Sequence, residues 1–555
     1  MQILVSKQGT KWLYLFIGLA ILLNFSGLFV TIMGPDAALY ASIAKTMAHQ
    51  NNFSDIYVQG KDWLDKPHFP FWITAICFKI FGAHTWSYKL PGILFLLIGT
   101  FYTYKLAKEL YSREIALWAV LILLTSQHVI INSMDVRAEP YLTGLIMASV
   151  YHFHKALGSK WIVPLLIASL FAACAVMTKG VFALIPIGGA IGGQLLIKQN
   201  WKMVFNFRWV VALTLIIIFT TPELYTLYTQ FDLHPEKVVF GRTGVSGIQF
   251  FFWDSQFGRF FNTGPIQKSS GDPTFFLHTL LWAYLPWSLL LYVAIYQFFR
   301  KNSKQPGRVE WYCISGALLT LLIFSVSKFQ LPFYITIVFP FFSILCAQYI
   351  CTVQQEKSVQ LIRVVQLAVC ALMVMLILVL HYFFRPDNLT IYTLLLLLAP
   401  VVLFIIISYS KGTGQYKVFF QVSTVTIFVN LYFNLCYYPQ LLKYQADSEA
   451  AFWINDHNQR NLPIVQTRIA FGYPLEFYSR SPVYFYRPGE ENLLPKTPYL
   501  LYGEKETIDR MIQSGQKITR LKSFVNFRIT MVKGKFLSHA TRNQVLGMNE
   551  VVLVN

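Results

Sequence analysis

The chain has 555 residues, 55% of them hydrophobic and only 13% charged, with a formal net charge of +20. A soluble protein needs roughly 25% charged residues to cover its surface, so most of this chain does not face water. In a soluble protein the positive balance would suggest nucleic acid. Here the basic residues flank apolar runs, where membrane orientation and anionic headgroups account for them, and no nucleic-acid partner is expected.

Apolar runs of about twenty residues, each long enough to span a bilayer, recur from Trp12 to Tyr438. In chain order the predicted spans are roughly 12–32, 88–106, 114–132, 140–156, 161–178, 181–197, 206–222, 276–299, 311–327, 331–351, 364–383, 389–409 and 417–438. The first is too long for a signal-peptide core and lacks a clear cleavage site, so it reads as a retained span. Placing Lys7 and Lys11 in the cytoplasm puts the basic connections on the same side. These carry Lys105, Lys108 and Arg113; Lys155 and Lys160; Lys198, Lys202 and Arg208; Arg300, Lys301, Lys304 and Arg308; Lys357 and Arg363; Lys411 and Lys417. One orientation therefore satisfies the positive-inside rule along the chain.

Two outer connections are long, about 34–89 and 223–275, and both are rich in aromatics. In the first, Ala37–His49 and Phe69–Phe81 have helical apolar spacing. From about Leu441 the composition turns polar. Ser448–Asn458 and Lys505–Ser514 read as helices; Ile464–Gln466, Pro482–Tyr484, Tyr499–Leu501 and Val551–Val554 read as strands. The expected fold is an all-α polytopic membrane protein of about thirteen helices over 1–440, with a small extracytoplasmic α/β domain over 441–555. The seven cysteines lie in or beside apolar runs with no CxxC pair, which fits buried core residues rather than disulfides or zinc.

Ionisable residues cluster on the outer side. Asp36, in MGPDAALY, follows the first span; it reads either as a carboxylate that orients an acceptor or takes its proton, or as a helix cap. GKDWLDKP packs Lys61, Asp62, Asp65 and Lys66, with Lys66 held extended by Pro67, as a fixed cation for an oxyanion or as a solvated loop. NSMDVRAEP crowds Asp135, Arg137 and Glu139 into a short connection, although Glu139 before Pro140 also suits a helix start. Lys179, Lys328 and Arg259 lie on the same face, against the orientation rule. A bound lipid phosphate is the simplest reason; snorkelling to headgroups is the alternative. His234 and His278 lie near acidic residues, but no HxxxH or HExxH spacing supports a metal.

These stretches resemble the lipid-phosphate-sugar-dependent glycosyltransferases of the multi-span GT-C fold, in particular the aminoarabinose lipid A transferase and protein O-mannosyltransferase group. The resemblance is carried by GPDAALYASIAKTM, WLDKPHFPFWITAICFKIFG, RAEPYLTGLIMAS, MTKGVFALIPI, FFLHTLLWAYLPWSLL and SKFQLPFYITIVFPFFSILCA, in order over roughly residues 12–350. Two departures stand out: Ala37 follows Asp36 where many relatives have an acidic pair, and His68 follows Pro67 where they have a second proline. The resemblance implies Asp36 as catalytic carboxylate, with Glu139 beside it, and Lys66 and Lys179 as donor-phosphate ligands. Arg259 and Lys328 add cations on that face, and Asp65, Asp135, Arg137 and His278 are further candidates.

The reaction implied is inverting transfer of a sugar from a polyprenyl phosphate to a lipid A-like glycolipid, a protein Ser/Thr or a glycan. It would take place at a bacterial inner membrane, among membrane lipids. No cofactor is required, and a divalent cation is compatible with the chemistry. The rival reading, a polytopic transporter or lipid flippase, calls for ionisable groups near the midplane and broken helices in matching halves; here the charges gather at one face.

Overall fold

Glycines set how closely the helices approach. A Cβ on Gly144 would lie 2.3 Å from the Phe95 carbonyl oxygen, and one on Gly99 2.9 Å from that of Thr143. Helices Thr85–Leu110 and Ala138–Ala156 therefore meet backbone to backbone, the close approach that small residues permit between apolar helices. Gly189 lies against the Ser315–Gly316 backbone and Gly193 against the Ser315 side chain, bringing Leu184–Ile197 close to Tyr312–Val326.

The computed structural model describes residues 7–267, 271–302, 309–410, 416–467 and 472–555. Lys304, Arg308 and Lys411 lie outside the described residues. Among the described residues, seven helices are long and apolar enough to cross a membrane, or eight if the pair Arg113–Leu124 and Gln127–Met134, bent by 56°, is one span. Four shorter apolar helices accompany them: Gly9–Phe25, Phe69–Phe81, Val181–Ile197 and Tyr312–Val326. Leu376, Leu378, Leu395 and Ile405 stand exposed on Glu356–Phe384 and Ile391–Tyr409, faces that a bilayer would cover.

Several continuous apolar runs are broken in space. The 276–299 run becomes Phe275–Ala283 and Ser288–Asn302, with Pro286 between them. The 331–351 run starts as a 3₁₀ turn, Pro332–Val338, before Phe339–Thr352. The apolar run from Arg208 continues past residue 222: its helix reaches Leu227 and a wider turn carries it to Asp232, so the second outer loop starts later than its composition suggests. The first outer connection holds two helices, Asp36–Gln50 and Phe69–Phe81, on either side of a short hairpin of β1 (Tyr57–Val58) and β2 (Lys61–Asp62).

Beyond Leu442 the chain forms helix Ala446–His457 and a five-stranded sheet. The strands β3 (Ile464–Gln466), β4 (Val483–Phe485), β5 (Tyr499–Glu504), β6 (Ile518–Asn526) and β7 (Gly547–Val554) lie in the order β4-β3-β5-β7-β6. β4, β3 and β5 are parallel; β7 and β6 continue antiparallel. β6 is the strand that its sequence hides, because it is an edge strand whose largely exposed side chains leave no apolar alternation to read.

This unit clamps the Asp36–Gln50 helix. Lys45 Nζ donates to the carbonyls of Glu476, Phe477 and Ser479 at 3.0, 2.8 and 2.8 Å, around the end of helix Tyr473–Tyr478. A cation among terminal carbonyls is favoured by the helix dipole. Gln445 accepts from the Gly34 amide at 2.8 Å and donates to the Ile32 carbonyl at 3.0 Å, fixing the turn that leads into Asp36.

Burial lowers Lys45 to about 8 and pushes the Glu476 carboxyl up to about 7, against the pull of Lys45. Between its ordinary 4.5 and about 7, folded Glu476 keeps a proton that the unfolded chain releases, so its contribution to stability falls as pH rises through that window. Lys45 acts in the opposite sense between about 8 and its ordinary 10.5. Glu476→Gln should therefore raise the thermal midpoint at about pH 8, by the equivalent of about 2 kcal/mol, and leave it unchanged at about pH 4. Scanning calorimetry in detergent at both pH values checks it. Gly144→Val should cost about 1–3 kcal/mol, read from the same midpoint, because the added methyls have only the Phe95 backbone to displace.

Candidate active site

Helix Asp36–Gln50 begins at Asp36 itself, with Pro35 before it and no side-chain cap. The carboxylate is not spent on capping: its Oδ2 accepts from Arg137 Nη1 at 2.8 Å. Arg137 also grips Asp135, donating to Oδ2 from Nε at 3.1 Å and from Nη2 at 2.8 Å. Ala37, the residue after Asp36, is fully buried. Burial opposes the Arg137 charge, but Asp135 and Asp36 overcome it and hold the guanidinium above its ordinary range.

Glu139 occupies the first turn of Ala138–Ala156 and is 1% exposed. Its Oε1 accepts from Lys179 Nζ, while its Oε2 is buried with no hydrogen-bond partner. Lys179 ends helix Ile162–Lys179 and lies over the Tyr334 ring at 3.9 Å. Arg137 lies over the adjacent Phe333 at 4.6 Å. The Pro332–Val338 turn thus joins the two ion-pair groups through neighbouring aromatic faces. Gly180 is needed after Lys179: its φ is +87°, and a Cβ there would lie 2.1 Å from Gln256 Nε2. Gln256 in turn donates to the Lys179 carbonyl at 3.1 Å.

The third group forms where the two outer connections meet. Asp65 accepts from Lys66 at 3.2 Å and from Arg259. A cavity of about 80 Å³, room for a few waters, is lined by Asp65, Lys66, Lys179, Gln256, Arg259 and Tyr334 among others. Burial lowers Lys66, with Tyr334 and Asp36 opposing, and burial lowers Arg259. Arg259 Nε is buried without a partner.

The formal charges separate along the site. Two cations, Lys66 and Arg259, share the single carboxylate of Asp65, leaving +1 at the cavity. Two carboxylates, Asp36 and Asp135, share Arg137, leaving −1 at the helix start. Lys179 and Glu139 balance each other between them.

Lys328 and His278 stand apart. Lys328 is exposed and does not line the cavity; its backbone amide donates to Phe260. It precedes a turn that sends Phe329 rather than the lysine inward. His278 Nε2 is 3.6 Å from Asp272 with both side chains more than half exposed. His234 pairs with Glu236 at 2.9 Å. Among the described residues, no three His, Cys, Asp or Glu side chains gather in a way that could hold a metal. Tyr334, Gln256 and Glu223 enter the site region without being named as candidates from sequence, and His68, noted there only as a departure after Pro67, enters it too. Glu223 left a signal, as an acid at the end of an apolar run.

A family profile for dolichyl-phosphate-mannose-protein mannosyltransferases matches residues 65–225. An uncharacterized protein of Aquifex aeolicus is 23% identical over 94% of this chain and 99% of its own length. The undecaprenyl phosphate-α-4-amino-4-deoxy-L-arabinose arabinosyl transferase of an Enterobacter species is 25% identical, covering 67% of this chain and 66% of that protein. The match to that of Edwardsiella ictaluri, at 26% identity, spans 55% of its length. The crystal structure of ArnT from Cupriavidus metallidurans bound to undecaprenyl phosphate superposes with a TM-score of 0.73 at 16% identity, covering 98% of both chains.

The matched segment contains Asp65, Lys66, Asp135, Arg137, Glu139 and Lys179, and these side chains converge here. Replacing Lys179 by Met should strand the Glu139 carboxylate in a buried site and cost about 3–5 kcal/mol of stability, whereas Lys179→Met with Glu139→Gln should recover most of it. Thermal unfolding of the single and double variants decides this. Sequence and fold together make the chain a membrane glycosyltransferase of the GT-C fold.

Proposed function

We propose that this chain moves a sugar from a polyprenyl-phosphate donor to an acceptor on the outer side of a bacterial inner membrane. The observation that carries the reading is the charge separation: an electropositive cavity at Lys66 and Arg259, and an electronegative helix start at Asp36, joined by the Glu139–Lys179 pair. The relatives support the donor class, since their names specify undecaprenyl phosphate sugars and the Cupriavidus structure contains undecaprenyl phosphate. The proposed topology has about thirteen crossings, a cytoplasmic N-terminus and an extracytoplasmic unit beyond residue 441. The acceptor class is a lipid A-like glycolipid, a protein hydroxyl or a glycan.

In the proposed step the acceptor oxygen attacks the anomeric carbon opposite the leaving phosphate. The carbon–oxygen bond to phosphate breaks, its electron pair stays on the phosphate, and the configuration inverts. Lys66, Arg259 and Lys179 stabilise the charge that develops there. If the acceptor is a hydroxyl, its proton passes to Asp36; if it is a phosphate, Asp36 and Arg137 orient it. Fixed cations supply the neutralisation of a monophosphate, so this scheme requires no divalent ion. Lys328 and His278 have no part in it.

Asp36→Asn should leave folding and donor binding intact and lower transfer of sugar from polyprenyl phosphate about 10²–10⁴-fold. Lys66→Ala should lower it by the equivalent of about 3 kcal/mol. Both are read by mass spectrometry of acceptor lipids and proteins with purified protein. Undiminished transfer by Asp36→Asn would overturn the assigned role. Uptake of substrate into sealed vesicles without transfer would favour the transporter reading.

A further inference from the structure

His68 stands two residues after Lys66, and its side chain is fully buried. Its Nε2 lies 3.0 Å from the Ser54 carbonyl, which can only accept, so Nε2 carries a proton. Its Nδ1 lies 3.0 Å from Glu223 Oε1, and its backbone amide donates to Glu223 Oε2 at 3.0 Å. Glu223 is also fully buried and receives both contacts from the one residue. It thus fixes both the main chain and the ring of the residue that follows Lys66-Pro67.

Glu223 belongs to a polar stripe. Glu223, Thr226 and Gln230 recur at spacings of three and four residues on the outer end of the Arg208–Leu227 helix and its extension, and all are buried. Thr226 Oγ1 lies 3.4 Å from His68 Nδ1. Gln230 accepts from the Ile56 amide and donates to the Ile56 carbonyl, both at 3.0 Å, and donates to Asp62 at 3.0 Å. One helix face therefore holds the segment that carries Lys66 at both ends: Gln230 at Ile56 and Asp62, Glu223 at His68. Pro67 stiffens the stretch between.

We propose that Glu223 and His68 are positioning residues for Lys66, acting through the main chain to aim its ammonium into the cavity shared with Arg259. The assignment rests on the proposed function for what Lys66 binds, but not for the geometry it predicts. Neither residue touches the cavity as a charge donor. Their role is to fix a flexible four-carbon side chain by fixing where its backbone stands.

The test uses full-length protein in detergent and two readouts. The first is acylation of individual lysines by acetic anhydride, read by mass spectrometry. Glu223→Gln should raise the Lys66 rate severalfold while Lys61, in the same loop and more than half exposed, is unchanged; a rise at both, or at neither, overturns the proposal. The second is a cycle on affinity for undecaprenyl monophosphate and on the donor KM. Glu223→Gln alone should weaken both about tenfold with the acceptor KM unchanged, whereas Lys66→Ala with Glu223→Gln should be no worse than Lys66→Ala alone. Effects that multiply would mean that Glu223 acts independently of Lys66, and the proposal falls. His68→Asn, which keeps the backbone amide, repeats both measurements should Glu223→Gln fail to fold. A wild-type chain that neither binds undecaprenyl monophosphate nor uses its sugar sinks the functional reading, while the Lys66 acylation still decides the positioning.

Discussion

Charge held where water is scarce must be paired, and the placement of its partners organises this molecule. Arg137 satisfies that constraint by reaching from one connection to Asp135 beside it and Asp36 on another element. The bond to Asp36 spans the distance between the first outer helix and the start of Ala138–Ala156. Asp36 is about half exposed and Arg137 keeps Asp135 beside it, so the bond between the two segments serves to orient the Asp36 carboxylate more than to stabilise the fold. The glycine contacts at Gly99 and Gly144 bring Ala138–Ala156 close enough to Thr85–Leu110 for its first turn to sit under this bridge. Lys89, buried on Thr85–Leu110, donates to the carbonyls of Gly27 and Val30 and secures the turn from the first helix toward Asp36.

The C-terminal unit extends that constraint. It grips the Asp36–Gln50 helix through Lys45 and grips the preceding turn through Gln445, while Arg487 donates to the Gln59 carbonyl at 2.8 Å and Glu490 pairs with Lys61. Arg542 anchors the other side, donating to the Phe384 carbonyl at 2.7 Å and stacking on the Phe384 ring at 4.3 Å. The unit carries none of the clustered charges, yet it sets where the helix bearing Asp36 can stand. It meets the Asp36 region geometrically, along one helix of fifteen residues.

Much of this was legible before the fold. Apolar length revealed the helical class, and the clustering of Asp36, Lys66, Asp135, Arg137, Glu139, Lys179 and Arg259 on one side of that pattern foretold a shared site. The strand at Ile464–Gln466 follows from its β-branched residues and the helix at Lys505–Gln513 from its amphipathic spacing. What sequence hid were matters of partnership. Spacing cannot tell that Asp36 would meet Arg137 rather than cap its helix, nor that Lys328 would be turned outward while Tyr334, in the same short motif, lies under Lys179. Breaks at Pro286 and in the 3₁₀ turn at Pro332–Val338 are equally invisible to a hydropathy window, which averages over them.

Ala37 and His68 acquire a physical meaning together. Ala37 is buried, and the second carboxylate near the helix start comes from Asp135 through Arg137. The buried ring and backbone amide of His68, a donor that proline would lack, join the loop to Glu223. In both places the feature is made by segments distant in the chain rather than by sequence neighbours. The acid pair is assembled across 99 residues between Asp36 and Asp135, and the stiffness of the Lys66 loop across 155 residues between His68 and Glu223. A site built in this way forms only when the helices have docked, which couples its geometry to the integrity of the whole bundle.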